Sequence, residues 1–157
     1  MSDYIVRPAV VADAAVIARH RVEMFRAMGV TGPALEAVEE ATRTRLASQI
    51  ASGEYAGWLA ECDGTPVAGA GVLLHQYYPT VTNLSGRPTA YILNVFTEPA
   101  HRRRGLARRL VKAILDWCAA HDLPRASLHA SDDGRLVYEQ LGFASTNELR
   151  IELPERR

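Results

Sequence analysis

The sequence predicts a single α/β domain with a mixed β-sheet and helices on both faces of that sheet. Two observations lead to this fold class. The chain has 157 residues, of which 48% are hydrophobic and 23% are charged, and this size and composition are typical of one folded domain. Its apolar residues recur at helical spacing in some segments and form β-rich runs in others, with no repeat or linker between them. The predicted element order is β-α-α-β-β-β-α-β-α-β.

Turn and cap residues separate the predicted elements. Asp13 can cap the first helix, and Asp63-Gly64 is a hairpin turn signal between two strands. Ser131 can cap the last helix, and Gly142 lies just past its end. The predicted strands are residues 4–6, 55–62, 66–75, 89–97 and 125–130, with one or two closing strands in 143–153. The predicted helices are residues 13–28, 33–51, 103–120 and 131–141.

The charge of the chain is balanced overall but uneven along its length. Lys plus Arg and Asp plus Glu both number 18, so no general electrostatic attraction to nucleic acid or to a membrane is expected. Between His101 and Lys112, however, six residues are Lys or Arg and none is acidic. This local excess of positive charge predicts a small anion site rather than a nucleic-acid or membrane partner.

The two cysteines, Cys62 and Cys118, are too few for a disulfide framework, and both lie in apolar stretches that predict buried free thiols. No apolar run is long enough for a membrane span, and the N-terminal residues lack a signal-peptide pattern. The sequence therefore predicts a cytoplasmic protein. No metal cofactor is predicted.

The segment that carries chemistry lies where the strand 89–97 ends and the third helix begins. Residues 97–107 read Thr-Glu-Pro-Ala-His-Arg-Arg-Arg-Gly-Leu-Ala. A helix N-terminus presents free backbone N–H groups and a partial positive charge, which favour a phosphate. Gly105 lets a phosphate approach the backbone, Ala107 keeps the helix close to the sheet, and the arginines add charge. Taken alone, Arg-x-x-Gly-x-Ala is a weak signal, because a solvated basic turn or an arginine cluster for nucleic acid also fits it.

Two motifs together resemble the GNAT superfamily of N-acetyltransferases. Residues 99–107, Pro-Ala-His-Arg-Arg-Arg-Gly-Leu-Ala, are similar to the acyl-CoA signature of that family, with His101 where an aromatic residue is common. Residues 137–143, Val-Tyr-Glu-Gln-Leu-Gly-Phe, are similar to its second signature, a Tyr-containing helix that ends in Leu-Gly-Phe. The interval between the motifs also fits. The close match covers residues 93–143, and outside it only the element order agrees.

The resemblance implies a mostly antiparallel sheet with a V-shaped splay between its two central strands, 89–97 and 125–130. Acetyl-CoA, the acyl donor, would lie in this gap, with its pantetheine arm against the backbone of Val95, Phe96 and Thr97. Ser131 stands where many relatives carry Asn, and it can cap the helix, hydrogen-bond the cofactor, or do both. The pyrophosphate would be held by the turn and first helical residues, which are Arg102, Arg103, Arg104, Gly105, Leu106, Ala107 and Arg108.

The implied reaction is the attack of a neutral amine on a thioester, with no covalent intermediate. By the resemblance, the amide of Val95 stabilises the oxyanion, and Tyr138, beside the cofactor sulfur, protonates the leaving thiolate. A base must also deprotonate the acceptor, because an alkylammonium with a pKa of about 10 is not nucleophilic. The positions where many relatives carry an acidic residue hold Tyr91 and Leu93. The remaining candidates are Glu23, His75, Glu98 and His129, or a water relay with no single base.

Two functions are compatible with these residues. The first is an enzyme that transfers acetyl, or another acyl group, to an amine of a small molecule or peptide, in a pocket shaped by residues 24–35 and 76–88. The second is an acyl-CoA-binding sensor without turnover, which the absent strand carboxylate favours and the retained Tyr138 disfavours. The resemblance also predicts a homodimer, because residues 143–153 offer strand edges or apolar faces to a second copy.

Overall fold

A computed structural model describes residues 3–155 and shows four helices packed on a five-stranded sheet. Two short 3-10 turns, Val11–Asp13 and Pro99–His101, precede the first and third helices. The elements in chain order are β1 (Tyr4–Pro8), α1 (Ala14–Ala27), α2 (Ala34–Ser52), β2 (Tyr55–Cys62), β3 (Thr65–His75), β4 (Thr89–Thr97), α3 (Leu106–Ala120), β5 (Ala126–Ser127) and α4 (Asp132–Gln140). Up to β4, every predicted element is present with closely similar boundaries.

The sheet has the strand order β1-β2-β3-β4-β5, and the pairs from β1 to β4 are antiparallel. β4 and β5 are parallel and pair at only two positions, Ala90 with Ala126 and Tyr91 with Ser127. Beyond these pairs the two strands separate, and within residues 3–155 no other strand lies beside that edge of β4. The predicted mixed, mostly antiparallel sheet with a gap between its central strands is therefore confirmed.

Each face of the sheet buries its own apolar cluster. α3 covers one face because its apolar residues recur every three or four positions and form one stripe. The buried residues of that stripe are Leu106, Leu110, Val111, Ile114 and Cys118. α1 and α2 cover the other face, where the buried residues include Ala14, Ile17, Leu46, Tyr55 and Leu59. The predicted helices on both faces are confirmed, and the end of β4 lies between these two layers.

The structure differs from the sequence-based prediction at three places. α3 begins at Leu106 rather than at residue 103, because Arg103 and Gly105 take left-handed backbone conformations (φ 59° and 73°) that a right-handed helix excludes. β5 is limited to two residues, because it leaves β4 after the second pair. The predicted closing strands in 143–153 are absent, and after α4 no residue up to 155 is in a strand. Strand backbone groups need partners, and β5 offers this segment too short an edge.

A β-bulge interrupts β4 at Asn94 and Val95. The register of β3 against β4 shifts here, so Ala70 of β3 faces both residues. Asn94 adopts a left-handed conformation with φ 56°, which asparagine tolerates better than most residues. A bulge leaves a residue outside the ladder and changes the direction of its neighbours. This bulge therefore breaks the β3 ladder at Val95, in the part of β4 that β5 has already left.

A buried side-chain network holds the bulge. Arg21 of α1 donates to Asn94 Oδ1 at 2.7 Å, and Asn94 Nδ2 donates to the Tyr55 hydroxyl at 3.3 Å. Burial raises the pKa of Tyr55 to about 12, so its hydroxyl stays neutral. Gly71 makes room for the Tyr55 ring, because a Cβ at this position would lie 1.9 Å from the phenolic oxygen. The network thus joins α1, β2 and β4 at one point.

We expect the fold to need both the hydrogen bonds of Asn94 and its backbone conformation. Asn94→Gly keeps the left-handed conformation but removes the contacts with Arg21 and Tyr55, and should lower the free energy of unfolding by about 1–3 kcal/mol. Asn94→Val also places a β-branched residue in that conformation, and should lower it by about 1–2 kcal/mol more. Urea unfolding measures both effects, and an Asn94→Val protein as stable as wild type would contradict this account.

Candidate active site

The turn between β4 and α3 contains a row of free backbone amides. Arg102 donates its amide to Pro99 and Arg109 donates to Gly105, but the amides of residues 103–108 have no acceptor outside α3 among residues 3–155. Three of these amides belong to the first turn of α3, whose N-terminus carries a partial positive charge. A ligand with several anionic oxygens fits such a row of donors.

Gly105 has the backbone conformation that a close phosphate contact requires. Its φ is +73°, and no atom lies within 4 Å of the position that a Cβ would take. The space beside it is therefore open, and glycine adopts this conformation without strain. Arg103 is also left-handed, a conformation that is costly for a residue with a side chain. The predicted approach of a phosphate to Gly105 is sterically possible.

Tyr4 of β1 anchors this turn. The sequence did not indicate this contact. Its hydroxyl lies 2.9 Å from His101 Nδ1, and its carbonyl accepts from Arg109 at 2.9 Å. Its ring centroid lies 6.0 Å from the guanidinium carbon of Arg104. Tyr4 and His101 are 97 positions apart, so no local sequence pattern could connect them. His101 stands where relatives often carry an aromatic residue, and in this chain its ring holds the turn through the contact with Tyr4.

The arginines of the turn keep positive charge beside the free amides. Arg102 donates its Nε to the carbonyl of Thr97 at 3.0 Å, which ties the turn back to β4. Arg108 donates to a side chain of α4 at 3.2 Å. Arg103 and Arg104 are exposed. Guanidinium groups in these positions favour a pyrophosphate over a neutral ligand.

Val95 and Tyr138 pack against the same apolar cluster, the one that α3 covers. Phe96 and Thr97 follow Val95 along β4, past the last pair with β5. Ser131 accepts a hydrogen bond from the Gly134 amide at 3.2 Å, so its predicted role as the cap of α4 is confirmed. The predicted contacts of these residues with the donor stay predictions.

Tyr138 is half-buried in α4, with its ring edge-on to Phe143 at 5.9 Å between centroids. Burial raises the pKa of its hydroxyl. The hydroxyl has no hydrogen-bond partner among residues 3–155, and at neutral pH it keeps its proton. The geometry thus leaves a neutral O–H donor available on the side of the sheet where Val95 packs.

Two of the four predicted base candidates are engaged in ion pairs beside α1. Glu98 accepts from His20 Nε2 at 3.1 Å and from Arg19 at 3.2 Å. Glu23 is paired with Arg26. Burial lowers the pKa of His20 despite the neighbouring carboxylate, so this ring is neutral at pH 7. Glu98 therefore joins the start of the turn to α1, which is a structural role.

The other two candidates, His75 and His129, both contact Tyr91. The His75 ring is stacked on the Tyr91 ring, with centroids 5.4 Å apart and planes 7° apart. The Tyr91 hydroxyl lies within hydrogen-bonding distance of His129 Nδ1. The structure therefore places His75, Tyr91 and His129 in contact, although nothing in the sequence linked them. Their grouping depends on the register of β3, β4 and β5.

Two surface depressions have very different surroundings. One of about 520 Å³ lies between α1 and the turn, and its lining includes Arg19, Glu23, Phe96, Glu98 and Arg102. A larger one of about 820 Å³ is shallow and lies on the surface of α2, where no predicted site residue lines it. The smaller groove is the relevant one, because Phe96 and Arg102, two residues predicted to contact the donor, line it.

Within residues 3–155, no group of three or more side chains is arranged to hold a metal ion. In the same part of the chain, no helix combines the length and the apolar composition that a membrane span requires.

Comparison with known proteins agrees with this geometry. The model of the acetyltransferase (GNAT) family matches residues 22–143. The aminoglycoside N(6')-acetyltransferase type 1 of Serratia marcescens is 28% identical over 111 residues, covering 68% of this chain and 75% of that protein. The solved GCN5-related N-acetyltransferase from Ralstonia eutropha has a TM-score of 0.88 at 30% identity, covering 96% of this chain and 99% of that one. A predicted acetyltransferase from Clostridium acetobutylicum, solved with acetyl-CoA, has a TM-score of 0.86 at 25% identity, covering 97% and 96%.

The family match includes the β4 bulge, the turn with its free amides, and α4. The two solved relatives share the fold over nearly the whole chain, and one of them was solved with acetyl-CoA. The expected N-acetyltransferase is confirmed, and the relative solved with acetyl-CoA supports the expected acyl-CoA donor. This chain belongs to the GNAT family of N-acetyltransferases.

Proposed function

We propose that this enzyme transfers an acetyl group from acetyl-CoA to a primary amine of a small molecule, by direct attack within a ternary complex. One observation carries the proposal. The row of unpartnered amides at residues 103–108 stands at the end of β4, next to the strand edge that β5 has left open. A pyrophosphate on these amides would allow the pantetheine arm to run along that edge toward Val95.

The donor would be held by backbone groups and positioned for reaction by the bulge. The amides of residues 103–107 would bind the pyrophosphate, with the charges of Arg102, Arg103 and Arg104 around it. The N–H of Val95 would donate to the thioester carbonyl oxygen, where negative charge develops during attack. Ser131, which already caps α4, would add a hydroxyl contact to the donor arm.

Tyr138 would act on the leaving sulfur. Its hydroxyl is protonated at neutral pH and has no partner among residues 3–155, so it is free to donate. The reference pKa of a thiol is about 8.5 and that of a phenol about 10, so full proton transfer from the phenol to the thiolate is unfavourable. A hydrogen bond to the sulfur as its charge develops is enough to lower the barrier.

Both cysteines support transfer without a covalent enzyme intermediate. Cys62 and Cys118 are buried free thiols, and burial raises the pKa of Cys118. A buried thiol is poorly accessible to a thioester, so neither side chain is suited to carry the acyl group. Free thiols also support a cytoplasmic location, where the redox conditions keep cysteines reduced.

The loop between β3 and β4 would form part of the acceptor side. Tyr77 and Tyr78, in the loop between β3 and β4, are 59% and 91% exposed. Asn83 holds this loop by bonding to the backbone of Arg87 through both its amide nitrogen and its oxygen. Together with residues 24–35, the loop would contact an acceptor that carries the amine. The Serratia relative is named for aminoglycosides, which supports a small-molecule polyamine as one acceptor class.

Thiol release with a panel of amines tests the proposed activity. The panel should include an aminoglycoside, simple alkylamines, amino acid amides and a lysine-containing peptide, each with acetyl-CoA as the donor. We expect amine-dependent release of free thiol and a mass increase of one acetyl group on the acceptor. Tight binding of acetyl-CoA with no turnover on any amine would instead favour an acyl-CoA-binding sensor.

The proposed binding of the pyrophosphate by residues 103–107 predicts that a change at Gly105 weakens acetyl-CoA binding. Gly105→Val places a branched side chain in the open space beside the free amides and strains a left-handed residue, so acetyl-CoA binding should weaken at least tenfold, about 1.4 kcal/mol. Gly53→Val is the matched control, because Gly53 is also left-handed with open space around it but caps α2 instead. Calorimetry compares the two, and unchanged affinity in a folded Gly105→Val protein would refute the assignment.

The role of Tyr138 predicts a loss of turnover without a loss of binding. Tyr138→Phe keeps the ring against Phe143 and removes only the hydroxyl, so kcat should fall by ~10²-fold while acetyl-CoA affinity changes little. Tyr78→Phe removes an exposed hydroxyl in the acceptor loop and is the comparison variant, in which any loss should appear in the KM for the acceptor and not in kcat. A kcat for Tyr138→Phe within about threefold of wild type would exclude the acid role.

We also propose that the chain is a homodimer joined through its C-terminal residues. Leu149, Ile151 and Leu153 are 96%, 79% and 78% exposed, and they alternate with Arg150 and Glu152 in a strand-like pattern. If two copies pair antiparallel about Ile151, each Arg150 faces a Glu152 and each Leu149 faces a Leu153. This self-complementary pairing would supply the partner that the segment lacks within one chain.

Light scattering at micromolar concentration tests the dimer. We expect the mass of two chains for wild type and of one chain for Ile151→Arg, because two arginines would face each other at the centre of the pair. Ile5→Arg is the control, since Ile5 is also exposed but lies on β1 at the far edge of the sheet. A one-chain mass for the wild-type protein would reject the proposal.

A further inference from the structure

Arg21 of α1 is a cation with no acidic partner among residues 3–155. It donates one N–H to Asn94 Oδ1 at 2.7 Å, at the bulge of β4. Its guanidinium carbon lies 4.9 Å from the centroid of the Phe25 ring, and stacking of this kind orients the plane of the group. A guanidinium has five N–H donors, and in the same part of the chain only the one to Asn94 has a partner. The half-buried guanidinium is thus held in place with most of its donors unused.

Arg21 lies close to the point where an acceptor amine would react. The side-chain oxygen of Asn94 is only a few covalent bonds from the nitrogen of Val95, so these two atoms are at most roughly 5 Å apart. The hydrogen bond of 2.7 Å then places Arg21 within roughly 8 Å of the amide proposed to hold the thioester oxygen. One small molecule can therefore place its amine at the thioester and another polar group at Arg21.

The segments proposed to surround the acceptor contain no acidic residue. Residues 24–35 and 76–88 together include two arginines and no Asp or Glu. Both arginines have other partners, since Arg26 pairs with Glu23 and Arg87 donates to a backbone carbonyl beyond α3. An acceptor with several ammonium groups would find no carboxylate in these segments. Charge complementarity therefore favours an acceptor that carries a negative group.

The other charges on this side of β4 leave Arg21 as the least screened one. Arg21, Arg150 and Glu148 all act electrostatically on Tyr91, which is half-buried in the strand. Arg150 and Glu148 are exposed and of opposite sign, so water screens them and their effects oppose each other. The half-buried Arg21 is screened less, and it provides the positive charge next to the bulge.

We propose that Arg21 binds a carboxylate of the acceptor, so that the substrate is a small amine that also carries an acid group, as an amino acid does. The inference rests on the proposed function and names the acceptor class for that same site. A guanidinium presents two parallel N–H groups to a carboxylate, and the stacking on Phe25 holds this fork in one plane. One arginine matches the single charge of a carboxylate better than the double charge of a phosphate.

Apolar side chains beside Arg21 indicate the rest of the acceptor. Phe25 and Met28 lie four and seven residues after Arg21, so helical spacing puts them on the same side of α1. Met28 is 66% exposed, and from the loop between β3 and β4 Tyr77 and Tyr78 are exposed as well. We therefore expect an apolar or aromatic body next to the acid group.

Acceptor pairs that differ only in the acid group test the assignment. The pairs are alanine, methionine and phenylalanine, each with its amide, and acetyl-CoA is the donor. The measured quantity is the ratio of kcat/KM for the amino acid to kcat/KM for its amide. In Arg21→Gln this ratio should fall at least about tenfold, because only the amino acid loses a charged partner. An amide has a lower ammonium pKa than its amino acid, but this difference belongs to the acceptor and cancels between two proteins.

Tyr55→Phe is the matched control for damage to the bulge. It removes the hydroxyl that binds Asn94 Nδ2 and leaves the guanidinium of Arg21 in place. Activity should fall by the same factor for both members of a pair, so the ratio should stay within about threefold of wild type. If Arg21→Gln also lowers both members of every pair by one factor, Arg21 has only a structural role and the proposal is overturned.

Binding of the reaction products tests the same contact without turnover. Calorimetry on the CoA-saturated protein compares each N-acetyl amino acid with its amide. We expect wild type to bind the acids more tightly and Arg21→Gln to lose this preference. Equal affinities of acid and amide in wild type for all three pairs would overturn the carboxylate contact, even if amines are acetylated. Absence of turnover on every amine, with the acids still preferred, would overturn the proposed function but support the contact with Arg21.

Discussion

The hydrogen bond from Arg21 to Asn94 is the contact on which the active-site geometry depends. A left-handed asparagine in the middle of a central strand is costly, and it persists here because Arg21 and Tyr55 both bind its side chain. The bulge that results breaks the ladder with β3, while β5 has already ended its pairing with β4 at Tyr91. The backbone around Val95 is thereby released from both neighbouring strands, and this is what a substrate that pairs with a strand edge requires.

The second constraint is that the proposed anion site consists of backbone groups, in a chain whose net charge is zero. Left-handed conformations at Arg103 and Gly105 delay the start of α3, so that the amides before the helix and in its first turn all stay free. Tyr4 fixes this turn to the far edge of the sheet, and Arg102 fixes it to β4. The proposed donor site would therefore be pre-formed by local backbone geometry, and its arginines would supply local charge rather than a general attraction to polyanions.

Local sequence patterns predicted most of the fold, but they could not predict contacts between residues that are distant in the sequence. Helical spacing located α1 and α3, and the single residues Gly105 and Ser131 indicated the turn before α3 and the cap of α4, because these features depend only on neighbouring residues. The contacts of Arg21 with Asn94 and of Tyr91 with His129 join residues 73 and 38 positions apart, and they depend on strand register. The sequence predicted one or two closing strands in 143–153, but a pattern within one segment carries no information about whether a partner edge exists.

A crystal structure of this chain with acetyl-CoA tests the central claim most directly, namely that the bulge presents the Val95 amide to the thioester. The account predicts the pyrophosphate on the amides of residues 103–107 and the thioester carbonyl oxygen within hydrogen-bonding distance of the Val95 nitrogen, with Asn94 still left-handed and bound to Arg21. A thioester directed away from Val95, or a regular β4 without the bulge in the complex, would contradict it.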